Sequence, residues 1–185
     1  MTPGYVFPRT VLHLNTEIGW RGGEAQTLRL AQGLEARGHR RVVVGKERGE
    51  PLPRPASAGL AVAPLESRGE FDLRAVLRLS RILTTERVDL LHAHTAHAVT
   101  LGILATLFRR RRPALVAARR LSFPLRSAFW GRLKYGSRVD RVIAVSEANR
   151  RLLVRQGLRA DRVAVVHSGI DPERFRQGDR GRFRA

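Results

Sequence analysis

Cysteine is absent from the 185 residues, which removes disulfides and thiolate metal ligands from every reading of the chain and is compatible with a reducing compartment. Long apolar runs are missing too. The most apolar stretch, residues 96–108, is too short to cross a bilayer, which needs about 20 residues, and its length suits a buried helix. The first nine residues lack the basic segment and apolar core of a secretory leader, so none is expected. Lysine occurs only at 46 and 134, so arginine carries nearly all of the positive charge. Acidic residues are scarce, 16 against 35 basic ones, and the formal net charge is +19. No helix-turn-helix, zinc module or RNA-binding aromatic motif is present, so nucleic acid is not an expected partner.

What is present fits one well-packed domain: 43% hydrophobic residues is ordinary for a globular protein, and the length supports a core. The charge is uneven. Residues 1–92 carry 14 basic and 10 acidic side chains, and residues 93–185 carry 21 and 6. A solvated, arginine-biased surface accounts for this imbalance. An anionic membrane surface, an anionic substrate or nucleic acid accounts for it equally well on charge alone.

Residues 10–15 read as a first strand, followed by a Gly-rich loop over 17–23. Ala25, Leu28, Ala31 and Leu34 then recur at helical spacing, and Gly38 fits a helix C-terminus. Further strands are predicted at 41–45, 60–65, 88–93, 114–118, 139–145 and 163–166. Residues 47–58 hold three prolines and read as a loop. Asp72 is placed to cap a helix carrying Val76, Leu79, Ile82 and Leu83. Helices are also expected over 96–108, over 127–135 and from Ser146 to Gly157. Strands alternate with helices, and several strands are apolar on both faces. The expected fold is therefore a doubly wound α/β domain with a mainly parallel sheet.

Chemistry is expected at the strand ends, where open α/β sheets bind ligands. Gly19-Trp20-Arg21-Gly22-Gly23-Glu24 lies between the first strand and first helix. Glycines there admit a phosphate to the helix N-terminus, or simply make a tight turn. The spacing is not that of a dinucleotide fingerprint. His92-Ala93-His94-Thr95-Ala96-His97 ends the fourth strand, with His92 and His94 on one face. No cysteine or nearby carboxylate completes a metal set with them, so no metal is expected. His97 reads as an exposed residue at a helix start. Arg119 and Arg120 end the fifth strand, where they suit an anionic group or a solvated turn. Residues 125–138 alternate Phe129, Trp130 and Leu133 with arginines and Lys134. That pattern suits a membrane interface or a core helix overlaid by arginine stems. Ser146 is placed to cap the helix beginning at Glu147.

These segments, in this order, resemble the N-terminal, acceptor-binding domain of family 4 (group 1) glycosyltransferases, which have the GT-B fold. The resemblance rests on Gly22-Gly23-Glu24, on Arg37-Gly38-His39, on the strand DLLHAH ending at His94, on Val145-Ser146-Glu147, and on Ser168-Gly169-Ile170-Asp171, where Asn-Gly-Ile-Asp is more usual. It spans about residues 10–175. It implies a Rossmann-like half-enzyme over 1–175 and a hinge or frayed tail over 176–185. A C-terminal donor domain, carrying two glutamates seven residues apart, has no match in these residues.

By the same resemblance, the complete reaction moves a sugar, with retention, from a nucleotide diphosphate sugar to an acceptor hydroxyl. The acceptor is a glycan or lipid-linked sugar, and no metal or other cofactor is required. His94 becomes the candidate catalytic residue, Gly22 and Gly23 the donor-diphosphate loop, and Arg119, Arg120 and Thr95 the acceptor side. The role of Glu24 stays open. The implied location is the cytoplasm or the inner face of the membrane, held peripherally, and the chain alone is expected to be inactive. The competing reading is a non-catalytic basic α/β module that binds anionic lipid or nucleic acid.

Overall fold

A computed structural model describes residues 8–46, 53–57, 59–119, 134–136 and 138–169. Seven strands form one sheet: β1 (Thr10–Leu14), β2 (Arg40–Gly45), β3 (Ala61–Pro64), β4 (Leu90–Ala93), β5 (Ala114–Arg119), β6 (Arg141–Ala144) and β7 (Val163–Val165). Their spatial order is β3-β2-β1-β4-β5-β6-β7, and every pairing is parallel. The chain starts in mid-sheet, runs outward to β3, then returns to β4 and runs the other way. The strand order therefore reverses between β1 and β4, and a crevice opens above their carboxyl ends.

The helices are α1 (Gly22–Glu35), α2 (Pro53–Ser57), α3 (Leu73–Thr85), α4 (Ala96–Thr106) and α5 (Glu147–Arg155), with a 3-10 turn at Ala160–Arg162 before β7. Short polar caps start three of them. The Asp72 carboxylate accepts from the backbone N–H groups of Arg74 and Ala75 at 3.0 and 3.2 Å. The Thr95 hydroxyl accepts from Ala98 N–H at 3.0 Å, and the Ser146 hydroxyl from Asn149 N–H at 3.2 Å. Each meets an amide that the helix leaves without an internal partner. The proline-rich segment read as a loop contains α2, because proline is tolerated in a first helical turn, where no N–H is needed. The helix expected over 127–135 lies largely outside the described residues; a helical turn is present at 134–136. The hinge or tail at 176–185 also lies outside them.

The sheet divides the core in two. Leu12, Leu14, Leu79, Leu83, Leu91, Leu101 and Leu115 pack together on the side of α3 and α4. Ala31, Val43 and Leu60 form a small cluster on the α1 side, with Leu28 against it. At the far end of the strands, Arg112 grips Asp140 bidentately at 2.6 and 2.8 Å, and Leu115 N–H donates to the same carboxylate at 2.7 Å. The guanidinium and this amide hold the Asp140 carboxyl below the usual carboxylate range.

Just past α3, Arg87 has φ +49°, a left-handed conformation that favours glycine. Its N–H still closes the helix by donating to Thr84 O at 3.1 Å. Arg87→Gly is therefore expected to raise stability by about 0.5–1 kcal/mol, read as a higher denaturant midpoint at unchanged slope. A lower midpoint would show that the arginine side chain outweighs the backbone strain.

Candidate active site at the carboxyl ends of the strands

The parallel register puts His13 of β1 directly beside His92 of β4, so both side chains lie on the sheet face that carries Val43 and α1. His94, one residue past β4, falls on the same side. The three rings are buried and form a tight group: His92 and His94 have centroids 4.1 Å apart, His13 and His94 5.3 Å, and His13 and His92 5.7 Å. His13 Nδ1 lies 3.1 Å from His94 Nε2. At that distance one ring donates and the other accepts, so the edge of His94 turned inward is set by His13. The main chain fixes His94 as well, since its N–H donates to Leu14 O at 2.9 Å.

This third histidine is absent from the sequence reading. With it, one nitrogen from each ring lies within 4.8 Å of the others, which is the ligand count of a three-histidine zinc site. The His13–His94 contact nevertheless has the length of a hydrogen bond between imidazoles.

The loop from β1 to α1 is built around Glu24. Its carboxylate is buried and takes a hydrogen bond from Asn15 Nδ2 at 2.9 Å and another from Arg21 N–H at 2.9 Å. Asn15 Oδ1 in turn accepts from Glu17 N–H at 3.0 Å. The open question about Glu24 thus has a structural answer: it pins the Gly-rich loop to the end of β1 and closes the first turn of α1. Gly22 is the first residue of α1, and no atom lies within 4 Å of the position a Cβ would take there. The space above Gly22 is open to a ligand, at the end of α1 where the helix dipole favours an anion. Gly23 follows within the first turn and accepts from the Thr27 hydroxyl through its carbonyl at 2.9 Å.

Thr16 and Thr95 join the two halves of the rim, with their hydroxyls 2.6 Å apart. Thr95 is therefore committed both to the cap of α4 and to this bridge. His97 is not the exposed residue expected. It is half-buried, and its Nε2 lies 2.8 Å from Gly69 O, to which it donates, and 3.5 Å from Ser67 Oγ. The loop after β3 folds over it, a long-range contact that local pattern does not encode. His97, Thr16, Arg21 and Lys46 line a pocket of about 380 Å³ at the rim. Lys46 was overlooked, although one of only two lysines standing directly after a strand was a usable signal.

Arg119 ends β5 on the opposite side of the sheet from the histidines, in line with Leu115 and Ala117. It hydrogen-bonds to the buried Tyr135, whose hydroxyl burial pushes up in pKa and whose charged form Arg119 favours. Beside them, Glu70 accepts from Thr100 at 2.9 Å and pairs with Lys134 at 3.1 Å. Burial pushes the Glu70 carboxyl up, but the Thr100 hydroxyl, Lys134 and His97 together hold it below the usual range. Arg120 and most of 125–138 lie outside the described residues. The structure thus gathers His94, Thr95, Gly22 and Gly23 along one rim and sets Arg119 apart from the histidines.

Solved structures share this fold. HepE from Anabaena, crystallised in complex with UDP-glucose, is 21% identical with a TM-score of 0.71, over 89% of this chain and 45% of that one. A glycosyltransferase from Rickettsia africae is 19% identical with a TM-score of 0.75, over 95% and 47%. The lipopolysaccharide outer core galactosyltransferase WaaB is 12% identical with a TM-score of 0.64, over 88% and 46%. The chain spans about half the length of these structures. No curated protein sequence matches it. The sequence profile of Glycosyltransferase Family 4 matches residues 20–174. That covers most of the chain and includes both the glycine loop and the histidine strand, so the chain belongs to Glycosyltransferase Family 4.

Proposed function

We propose that this chain is the acceptor-binding half of a retaining glycosyltransferase. The complete reaction transfers a sugar from a nucleotide diphosphate sugar to an acceptor hydroxyl, in cell-surface glycan or glycolipid synthesis at the cytoplasmic face of a membrane. The observation that carries this reading is the shared rim: the open helix start at Gly22 and the His94 imidazole lie over the reversal of strand order, joined through Asn15–Glu24 and Thr16–Thr95. The UDP-glucose bound to HepE supports a nucleotide sugar as donor.

In this reading His94 orients a sugar or acceptor hydroxyl, since a neutral imidazole both donates and accepts. The glycine turn faces the diphosphate, whose charge the amides of the α1 start favour. Thr95 borders the acceptor, Arg120 draws an anionic acceptor toward the mouth while Arg119 braces Tyr135 on the other side of the sheet, and no cofactor beyond the donor takes part. Stabilising the departing nucleotide falls mainly to a donor half, and such electrostatic stabilisation is often the largest catalytic contribution. The 185-residue chain by itself is therefore expected to give no sugar transfer above buffer from UDP-glucose to a lipid-linked acceptor, while the chain joined to a family donor half turns over. Transfer by the chain alone would refute the division of labour. A joined protein with no affinity for any nucleotide sugar would favour the non-catalytic module instead.

A further inference from the structure

His13, His92 and His94 form a group that the proposed reaction uses only in part. Strand register sets His13 beside His92, and the turn out of β4 adds His94. All three side chains are buried, and one nitrogen of each ring lies within 4.8 Å of the other two. Three neutral imidazoles closing on one point are a ligand set of zinc, with a fourth position left open. Every donor is an imidazole nitrogen, which suits zinc, whereas magnesium and calcium take oxygen ligands.

The separations fit that cation. Two nitrogens bound to zinc at tetrahedral angles stand about 3.3 Å apart, and their ring centroids about 5 Å apart. His13 Nδ1 and His94 Nε2 are 3.1 Å apart. The His13 centroid lies 5.3 Å from that of His94 and 5.7 Å from that of His92. His92 and His94, at 4.1 Å, are the pair that must open, by about 1 Å. His92 lines a groove of about 690 Å³ with Arg29 of α1 and Ile143 of β6, which gives a cation its way in.

We propose that His13, His92 and His94 bind one zinc ion. His13 Nδ1 and His94 Nε2 each give a lone pair. The proton held between them moves to the far nitrogen of the ring that carried it, so neutral rings lose no proton to solvent. His92 supplies the third nitrogen, and water from the groove takes the fourth position. The ion takes no step in sugar transfer. It ties β1 to β4 where the strand order reverses, and it keeps the remaining His94 proton on Nδ1, so that this ring only donates toward the crevice. The consequence for His94 rests on the function proposed above; the zinc site does not.

Calorimetric titration of the 185-residue chain, free of any histidine tag, with zinc chloride tests the site at about pH 8, where unperturbed imidazoles are neutral. One equivalent is expected to bind, excess magnesium should not compete, and the thermal midpoint should rise with zinc and return with EDTA. His13→Gln, His92→Gln and His94→Gln should each weaken binding roughly tenfold or more, since even an outer partner of a ligand is worth about that much. His39→Gln/His167→Gln, outside the cluster, should bind within about twofold of the parent, as independent sites do. Nitrogen-15 spectra of the imidazoles should show these three rings metallated. No stoichiometric zinc, unchanged affinity in the cluster variants, or an equal loss in the His39/His167 variant would overturn the site. Should His13→Gln or His92→Gln fail to fold, the spectra of the parent chain decide, and metallation of other rings or of fewer than these three overturns it. Zinc binding needs no sugar. A chain that binds zinc but, joined to a donor half, transfers nothing would remove the function above and leave the site standing; sugar transfer by the joined protein with no zinc bound to the chain would do the reverse.

Discussion

Gly102→Leu is expected to remove about 3 kcal/mol or more of stability, a large share of the 5–15 kcal/mol typical of a domain. A Cβ on Gly102 would stand 2.9 Å from Leu91 Cδ2 and 3.3 Å from Leu115 Cδ1. Both leucines are almost wholly buried, so α4 rests directly on β4 and β5 at this point. Alanine meets only the methyl ends of two leucines, which rotate a little, and it gains helix propensity over glycine. Gly102→Ala should therefore change stability by no more than about 1 kcal/mol. Leucine adds three further carbons where a close-packed interior has no room. The helix must then move off the sheet, and since Thr95 caps α4, the cap beside His94 moves with it. Urea unfolding of parent and variants checks this, with the alanine variant lying between the other two. A leucine variant within 1 kcal/mol of the parent would show that helix and sheet are not in this close approach.

How much of this was legible beforehand depends on whether a feature is local. Helix α3 could be read because Asp72 and the apolar spacing behind it are consecutive in the chain, and its cap is made by that residue. The same holds for Ser146 and α5. Alternation of apolar strands with helices was enough for the doubly wound class. What could not be read is which strand lies beside which residue of another. His13 meets His92 only because β1 pairs with β4 in one register, across two intervening strands of sequence. His97 finds Gly69 in the same non-local way. The role of Glu24 was left open for a different reason. Its capping position follows Arg21 rather than serine or threonine, so the usual pattern does not announce it. The glycine pair falls at the start of α1, between strand and helix as its sequence position suggests, and only the coordinates show the open space above Gly22.

His94→Ala, in the chain completed by a donor half, is expected to lower kcat/KM by about 100-fold, or about 2.7 kcal/mol of transition-state stabilisation. The alanine variant loses the ring that meets His13 and His92 beside the crevice. His94→Gln keeps a group able to donate and accept, and should recover part of the loss. It should also remove any inflection near neutral pH that the imidazole contributes. His13 acts at one remove. It is fully buried, and its Nδ1 meets His94 Nε2, so it sets which way the His94 ring faces and which nitrogen is left for the crevice. His13→Leu should therefore cost roughly tenfold, as expected for a positioning residue, mostly in kcat, while the pH profile shifts rather than disappears. Steady-state kinetics of the three variants across pH distinguish these roles. An undiminished kcat/KM in His94→Ala would remove the imidazole from the chemistry. A loss in His13→Leu with the profile unchanged would reduce His13 to packing, because a leucine of similar bulk fills the space yet cannot hold a neighbouring ring by a hydrogen bond.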